Sequence, residues 1–288
     1  MPIENVSDTA RWVAVYRAME TARPDAIFRD PFADRLAGQR GHQITDAMKN
    51  GRAMAWPMIV RTAVFDEIIL DAVRNKKVDL VVNLAAGLDA RPWRMPLPES
   101  LHWVDVDLPG ILNYKTETLK DEKPVCRYEA VTVDLRDVEA RRALFARLGA
   151  GSKRALVISE GLLIYLTPEQ VGALASDLHA QPSFREWLID LASPDLLKRM
   201  GKTWGKTVAE GNAPFQFAPA ESTEFFRPFG WREEKFLSLW EEANRLNRTM
   251  KGAWFWNFVG KLMPPKMREK TRRFSGLVLL ERIETPVP

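Results

Sequence analysis

Apolar runs of strand length recur through the middle of the chain and alternate with segments of helix-forming composition. The strand-like runs are 78–84, 101–106, 127–133, 154–159 and 185–191. The helix-like segments between them are 109–120, 137–148 and 168–180. A last strand is predicted near the end, at 274–282. Because near-continuous apolar strands separated by helices are typical of a parallel sheet covered on both faces, the pattern predicts an α/β fold whose ligands bind at the carboxyl ends of the strands.

Two amphipathic helices are predicted before the first strand, over 8–23 and roughly 54–75. Arg61 falls in the middle of the second apolar stripe, where a guanidinium is costly unless it is paired. One interpretation is a pairing with a protein carboxylate, for which Asp89 is a candidate, or a side chain that reaches the surface. The other is a bidentate contact with a ligand carboxylate, such as that of a methionyl group. The spacing leaves both open.

The first predicted strand runs into small residues, Ala85, Ala86 and Gly87, against which a ligand can lie close to the backbone. Asp107 follows the second strand, at the position where nucleoside-binding α/β folds hold ribose hydroxyls. The turn is not a G-x-G-x-x-G fingerprint, because Ala85 takes the first glycine position and Asp89 follows. Acid here would repel phosphate and suits a phosphate-free cation such as S-adenosylmethionine. The alternative is an ordinary strand–turn–helix packed by small residues.

Acids also follow the third and fourth strands, at Asp134 and Glu160. In a parallel sheet these positions lie side by side with Asp107 along one edge, which is a nucleoside-binding arrangement. We expect Asp107 to accept from ribose and Asp134 from the adenine amino group, while the Leu135 N–H donates to a ring nitrogen. Glu160 would lie near the methionyl amine and the sulfonium. For Asp134 alone, helix capping is the competing explanation.

Several segments, taken in order, resemble the motif series of the leucine carboxyl methyltransferase family. They are closest to its bacterial branch of S-adenosylmethionine-dependent O-methyltransferases, which includes polyketide carboxyl methyltransferases. The matching segments are 7–33, 60–66, 83–91, 104–109, 133–135 and 159–167. The resemblance implies a class I, Rossmann-like methyltransferase: a mostly parallel seven-stranded sheet with helices on both faces, an N-terminal helical cap and a C-terminal insertion. S-adenosyl-L-methionine is the implied cofactor.

Carried over to this chain, the resemblance implies a set of cofactor-binding residues. They are Arg61, Ala85, Gly87, Asp107, Asp134, Leu135 and Glu160. Arg61 would hold the cofactor carboxylate. The family's usual Leu-Gly-Ala-Gly is Leu-Ala-Ala-Gly here, and the extra methyl of Ala85 would alter cofactor affinity if that position needs a positive φ. Tyr165 is a candidate for orienting the acceptor, the alternative being a packed aromatic residue at a helix entry.

We predict a single methyltransferase domain over all 288 residues. Its expected parts are a helical cap at 1–75, a cofactor-binding core at 76–193, a substrate cap or insertion at 194–273, and a last strand and tail at 274–288. A hydrophobic content of 46% with 28% charged residues describes a soluble globular protein. The N-terminus lacks the order of a secretory signal and Cys126 is the single cysteine, so we expect a cytoplasmic monomer or homodimer without a disulfide. The histidines make no metal-ligand pattern, and no apolar run is long enough to span a membrane.

The segment 245–273 combines nine Lys/Arg residues and one acid, Glu269, with a central group of aromatic residues. Those aromatic residues are Trp254, Phe255, Trp256 and Phe258. We favour a solvated helical face with an aromatic core-packing patch. A lid or wall of an apolar acceptor pocket is the second interpretation, and contact with a membrane or a nucleic acid is the third. The position before the last strand suits a substrate cap.

Together these features predict an O-methyltransferase that acts on a small or medium organic or polyketide-like acceptor. A carboxylate or acidic hydroxyl is favoured, because such an oxygen needs no general base and no strong histidine candidate lies in the motif series. Carboxyl methylation of a protein terminus and a non-catalytic S-adenosylmethionine-binding module are the alternatives. No nucleic acid partner is expected, since the Asn/Asp-Pro-Pro-Tyr motif of N-methylation is absent from the sequence.

Overall fold

The computed structural model describes residues 6–48, 51–210 and 214–284. Its strands are β1 (Leu80–Leu84), β2 (His102–Asp107), β3 (Arg127–Thr132), β4 (Ala155–Ser159), β5 (Phe184–Ala192), β6 (Trp231–Ser238) and β7 (Ser275–Arg282). Its helices are α1 (Val6–Thr21), α2 (Ala33–Ala47), α3 (Trp56–Arg74), α4 (Arg91–Arg94), α5 (Pro109–Thr118), α6 (Val138–Ala150), α7 (Pro168–His179), α8 (Pro194–Glu210), α9 (Leu239–Arg245), α10 (Ala253–Leu262) and α11 (Pro265–Arg272). Single 3₁₀ segments occupy Arg52–Met54, Leu163–Tyr165 and Ser222–Phe229.

All seven strands form one sheet in the order β3-β2-β1-β4-β5-β7-β6. The first five strands pair in parallel, and β7 runs antiparallel to both of its neighbours, β5 and β6. The prediction of a mostly parallel seven-stranded sheet is confirmed. Because the order reverses between β1 and β4, the carboxyl ends of these two central strands open a crevice in which ligands of such sheets bind.

The sheet is buried on both faces, which explains its uninterrupted apolar strands. Every residue of β1 and β4 is buried. Alternate side chains point to opposite faces. Val82 belongs to a buried cluster that includes Leu144 of α6 and Leu174 of α7, whereas Val81 belongs to a second cluster that includes Phe65 of α3. Two apolar layers therefore hold the central strands, and their carboxyl ends stay fixed relative to α3.

The first two helices lie over the turn that follows β1. Helix α2 is kinked at Gly38, whose φ is +58°, and it pairs along its length with α1. Arg17 of α1 donates to Asp30 at 2.8 Å and to the carbonyl oxygen of Leu88 at 2.6 Å. This buried arginine therefore ties the N-terminal helices to the loop between β1 and α4.

The chain between β5 and β7 contributes both to the sheet and to the surface above it. β6 lies at the edge of the sheet, while α9, α10 and α11 follow it toward the carboxyl ends of the strands. The expected core packing of the aromatic residues in this segment is wrong, because Trp254 and Phe258 are 75% and 59% exposed. None of the described helices combines the length and apolarity needed to cross a bilayer.

Candidate active site

A cavity of about 1790 Å³ lies at the carboxyl ends of the central strands. Its lining includes every site residue expected from the sequence: Arg61, Ala85, Gly87, Asp107, Asp134, Leu135, Glu160 and Tyr165. These residues come from α3 and from the segments that follow four different strands. The parallel sheet thus brings together side chains that are up to about a hundred positions apart in the sequence.

Two residues of the turn after β1 have a left-handed backbone, and one of them is not a glycine. Gly87 has a φ of +51° and Ala85 a φ of +53°. A methyl group in this region of φ costs about 1–2 kcal/mol for residues other than glycine. A side chain on Gly87 would also lie 3.1 Å from the Cβ of Ala10 in α1. The turn therefore lies close under α1, and Ala85 sits there with backbone strain.

Asp107 fixes this turn from the neighbouring strand. One of its carboxylate oxygens accepts from the Gly87 N–H at 2.6 Å, and the other accepts from the Leu108 N–H at 2.7 Å. Burial raises the pKa of Asp107, although both N–H groups oppose that shift. Because a carboxylate has about four acceptor positions and two are used, Asp107 can still accept hydrogen bonds from a ligand in the cavity.

Arg61 pairs with carboxylates of β5 and of the segment after β4. Its Nε donates to Glu160 at 2.9 Å and its Nη1 to Asp190 at 3.0 Å. Burial alone would lower the pKa of Arg61, but Asp190 and Glu160 raise it, so the guanidinium stays charged. Pairing with a protein carboxylate is thus observed, but Asp89 as the partner is wrong, because the side chain of Asp89 contacts a different arginine.

That arginine is Arg91, at the start of α4. It donates to Asp66 at 2.7 Å, to Asp89 at 2.6 Å and to Glu160 at 2.8 Å. Arg94, one turn later, also pairs with Asp66. Burial favours the protonated form of Asp89, but Arg91 and other nearby cations lower its pKa to about 2. Glu160 therefore joins two arginines and continues the network from α4 to α3.

The network carries more negative than positive charge. Its carboxylates are Asp66, Asp89, Glu160 and Asp190, and its guanidiniums are Arg61, Arg91 and Arg94. Four negative charges against three positive charges leave a net charge of −1, and Asp107 beside it adds another. Asp89, Glu160 and Asp190 of this network line the cavity beside Asp107, so a cation finds carboxylates there, whereas the lining as a whole holds more Arg and Lys than Asp and Glu.

The wall after β3 is more exposed. The Asp134 carboxylate pairs with Arg136 at 2.7 Å and caps no helix, because Asp137 is the residue that accepts from the Ala140 N–H at the start of α6. The carbonyl oxygen of Leu135 accepts from a buried arginine of α6. Its N–H has no acceptor within the described residues, and Leu135 lines the cavity. A ligand nitrogen could occupy that position without displacing a protein contact.

Tyr165 ends the 3₁₀ segment after β4 and packs against Phe215, with ring centroids 5.7 Å apart. Burial raises the pKa of Tyr165 to about 12, a shift that a hydrogen bond with Thr9 opposes. The phenol therefore stays protonated near neutral pH. It can donate a hydrogen bond into the cavity but cannot accept a proton there as a base.

Sequence reasoning missed two carboxylates of this site. Asp190 is the single acid among apolar residues near the end of the predicted fifth strand, so the same strand-end reasoning would have found it. It also accepts from the Gly161 N–H at 2.6 Å and thereby holds the loop after β4. Asp66 gives no comparable signal, because its role depends on α4 folding back against α3.

The remainder of the cavity is lined mainly by apolar side chains, with Arg199, Glu241, Lys261, Arg268 and Arg272 among them. Its lining there includes Trp12, Met48, Trp56, Met58, Met200, Phe215, Phe217, Trp240, Met250, Trp256 and Met263. Methionine side chains adapt to irregular ligands, and aromatic rings add large apolar surface. Of the phenylalanines near this end of the sheet, Phe215 and Phe217 reach the cavity, whereas Phe226 lies in the core. The charged end and the apolar end form one continuous space.

Comparison with known sequences identifies the family. A profile described as leucine carboxyl methyltransferase matches residues 10–179. A protein of Mycolicibacterium smegmatis, provisionally named an S-adenosyl-L-methionine-dependent methyltransferase, is 34% identical over 192 residues, which are 61% of this chain and 63% of that protein. A protein of Mycobacteroides abscessus with the same provisional name is 29% identical over 268 residues, 85% of this chain and 87% of that protein. The first relatives are thus matched over 60–64% of their own length.

Two solved structures share the fold at low sequence identity. One is a DUF574 family protein from Streptomyces avermitilis, with a TM-score of 0.58 and 13% identity over 93% of this chain and 96% of that one. The other is provisionally called a methyltransferase and comes from Thermobifida fusca, with a TM-score of 0.59 and 14% identity over 94% of each chain. At 13–14% identity these two comparisons show a shared fold and nothing further.

Proposed function

This chain belongs to the leucine carboxyl methyltransferase family, and from that premise we propose that it transfers the methyl group of S-adenosylmethionine to a carboxylate oxygen of an organic acid. The observation that carries the proposal is the convergence of Asp107, Glu160 and Arg61 on one cavity. That cavity is lined by carboxylates paired with guanidiniums at one end and by mainly apolar walls at the other. A cationic, phosphate-free nucleoside and an apolar acceptor are the two ligands that such a space suits.

The residues at the charged end fit the cofactor group by group. Asp107 has free acceptor positions for ribose hydroxyls, and the Leu135 N–H is available to a ring nitrogen. Arg61 uses two of its five N–H donors on protein carboxylates, so three remain for the methionyl carboxylate. When bound, the cofactor supplies an electrophilic methyl group on a positively charged sulfur.

We infer the kind of acceptor from the side chains at the cavity, because none of those considered below is available as a general base. None of the three histidines lines the cavity within the described part of the chain. Tyr165 stays protonated, and the carboxylates of Glu160 and Asp190 are engaged by Arg61. An acceptor oxygen that is already ionised needs no base. We therefore propose a carboxylate acceptor, with an acidic hydroxyl as the next possibility.

The chain then contributes position and a dry environment. The cavity volume of about 1790 Å³ exceeds the roughly 300–1,000 Å³ of a typical single-ligand pocket, which leaves space for an acceptor of small to medium size beside the cofactor. Apolar walls exclude water, which favours a reaction in which opposite charges neutralise each other. Holding both reactants in line supplies much of the remaining acceleration, with effective molarities up to about 10⁵–10⁸ M.

Methyl transfer from labelled S-adenosylmethionine to a panel of acceptors tests the proposal. The panel contains apolar carboxylic acids, phenols and a peptide with a free carboxyl terminus. We expect labelled product with apolar acids, and we expect mild alkali to release the label as methanol because the product is an ester. Alkali-stable label would show an ether and a hydroxyl acceptor. Label on the peptide alone would indicate a protein terminus, and cofactor binding without transfer to any acceptor would indicate a binding module.

A further inference from the structure

Helix α10 presents large apolar side chains to solvent instead of to the protein core. Trp254 is 75% exposed and Leu262 71% exposed. Ala253 is the buried residue of this helix. We call the exposed side chains the α10 face; they are Trp254, Phe255, Trp256, Phe258 and Leu262. A contiguous apolar surface of this kind marks a contact site, because single exposed apolar residues are common but clustered ones are not.

Helix α11 follows directly and is strongly basic. Four of its eight residues are lysine or arginine, one is acidic, and none is buried. Several cations around the α10 face have no carboxylate oxygen within 4.0 Å in the described ranges. They are Lys251, Lys261, Lys266 and Arg268, all of them exposed. Positive charge without an acidic partner among the described residues therefore surrounds the apolar face.

We propose that α10 and α11 dock this protein on the surface of an anionic lipid bilayer. Aromatic side chains favour the headgroup level of a membrane, where their rings are half in apolar surroundings. At ten residues, α10 is about 15 Å long, so it lies in the interface and does not span it. The basic side chains beside it contact lipid phosphates and are attracted by the negative surface potential.

The composition of the surface favours lipid over other partners. Leu262 and Met267 are 71% and 54% exposed, and aliphatic side chains of this kind cannot stack on nucleic acid bases. A second copy of the chain is disfavoured by charge, because two basic α11 helices would face each other across the contact. An anionic bilayer satisfies the apolar and the basic parts of the surface together.

The docking surface is continuous with the cavity. The cavity is lined by Trp256 of the α10 face and by three exposed residues beside that face, Met250, Lys261 and Arg268. An apolar acid dissolved in the bilayer would therefore enter the cavity without crossing water. This route rests on the proposed function, whereas the docking itself does not.

Cosedimentation of the whole protein with vesicles tests the docking without any methyl transfer. With phosphatidylglycerol vesicles near physiological salt we expect binding, and with phosphatidylcholine vesicles at least about tenfold weaker binding. The double variant Trp254→Ser, Phe258→Ser should weaken binding by at least about tenfold because it removes two aromatic side chains that would contact the membrane. Lys251→Gln with Lys266→Gln should weaken it by about 25-fold, or about fivefold for each charge near the surface.

Matched controls lie before the amino ends of two parallel strands, whereas the cavity lies at the carboxyl ends. Lys153 is exposed just before β4, and Val125 is 37% exposed just before β3. Lys153→Gln and Val125→Ser should leave vesicle binding within about twofold, because neither residue can reach the docked membrane.

Four results would overturn the docking. The first two are that the protein does not bind anionic vesicles, or that all variants bind them equally well. The other two are found in a protein that does not bind vesicles: a dimer that is lost in the Trp254→Ser, Phe258→Ser variant, or binding of single-stranded RNA. If the wild-type protein binds anionic vesicles but transfers no methyl group to any acceptor, the proposed function is contradicted and the docking is not.

Discussion

Replacing Arg61 by methionine separates a ligand-binding arginine from a structural one. The substitution keeps an unbranched apolar stem in α3 and removes the donors to Glu160 and Asp190. It also removes the three remaining N–H donors that we assign to the methionyl carboxylate. Adenosine lacks that carboxylate, so the two ligands distinguish the two roles of this residue.

The expected magnitudes follow from the contacts. A hydrogen bond to a charged group contributes about 1.5–3 kcal/mol, so binding of S-adenosylmethionine should weaken by about 10–150-fold. Binding of adenosine should change by less than about threefold. The free energy of unfolding should fall by about 3–5 kcal/mol, because Glu160 and Asp190 lose their buried partner. Titration calorimetry with both ligands measures the affinities, and urea denaturation measures the stability.

Arg248→Met is the matched control. Arg248 is buried, pairs with Glu20 at 2.8 Å and does not line the cavity. Its loss should destabilise the fold by a similar amount and leave both ligand affinities within about twofold. Equal losses of S-adenosylmethionine and adenosine binding in Arg61→Met would refute the carboxylate assignment. So would an S-adenosylmethionine affinity that falls as much in Arg248→Met as in Arg61→Met.

Three further results are expected. Ala85→Gly should raise the free energy of unfolding by up to about 1 kcal/mol in urea denaturation, since relief of a +53° φ exceeds the added chain entropy; a destabilised variant would contradict the strain. The pKa of Asp89 is lowered from 3.8 to about 2, so its contribution is complete above about pH 4 and is lost as the pH falls toward 2. Wild type should therefore lose about 2 kcal/mol more than Asp89→Asn between about pH 5 and pH 2, and parallel stability curves would exclude this. Tyr165→Phe should lower kcat/KM for the acceptor by about 5–150-fold with cofactor affinity unchanged, whereas unchanged kcat/KM would indicate simple packing against Phe215.

The sheet and its ligand edge could be predicted because burial on both faces leaves a direct trace in the sequence. Strands such as β1 and β4 need apolar residues at every position, and the acids after them stand out against those runs. Asp107 and Glu160 were placed correctly at the cavity for this reason. The assignment of their ligands remains a prediction.

The charge network could not be predicted, because it depends on helix packing. The sequence shows Arg61 as a buried cation that needs a partner, but it does not choose among Asp89, Glu160 and Asp190. In the folded protein Arg91, at the start of α4, donates to Asp89 and also to Glu160, so Arg61 pairs with Glu160 and Asp190. The exposure of α10 could not be predicted either, because a segment rich in aromatic residues is expected to pack in the core.

The most direct test of the central claim, that the carboxylate at the end of β2 holds the ribose of the cofactor, is a binding cycle. Calorimetry compares adenosine with 2′,3′-dideoxyadenosine on wild type and on Asp107→Ala. We predict that wild type prefers adenosine by about 5–150-fold and that Asp107→Ala loses the preference. If wild type binds the two ligands equally, or if the preference survives in Asp107→Ala, the cofactor is not held as we describe.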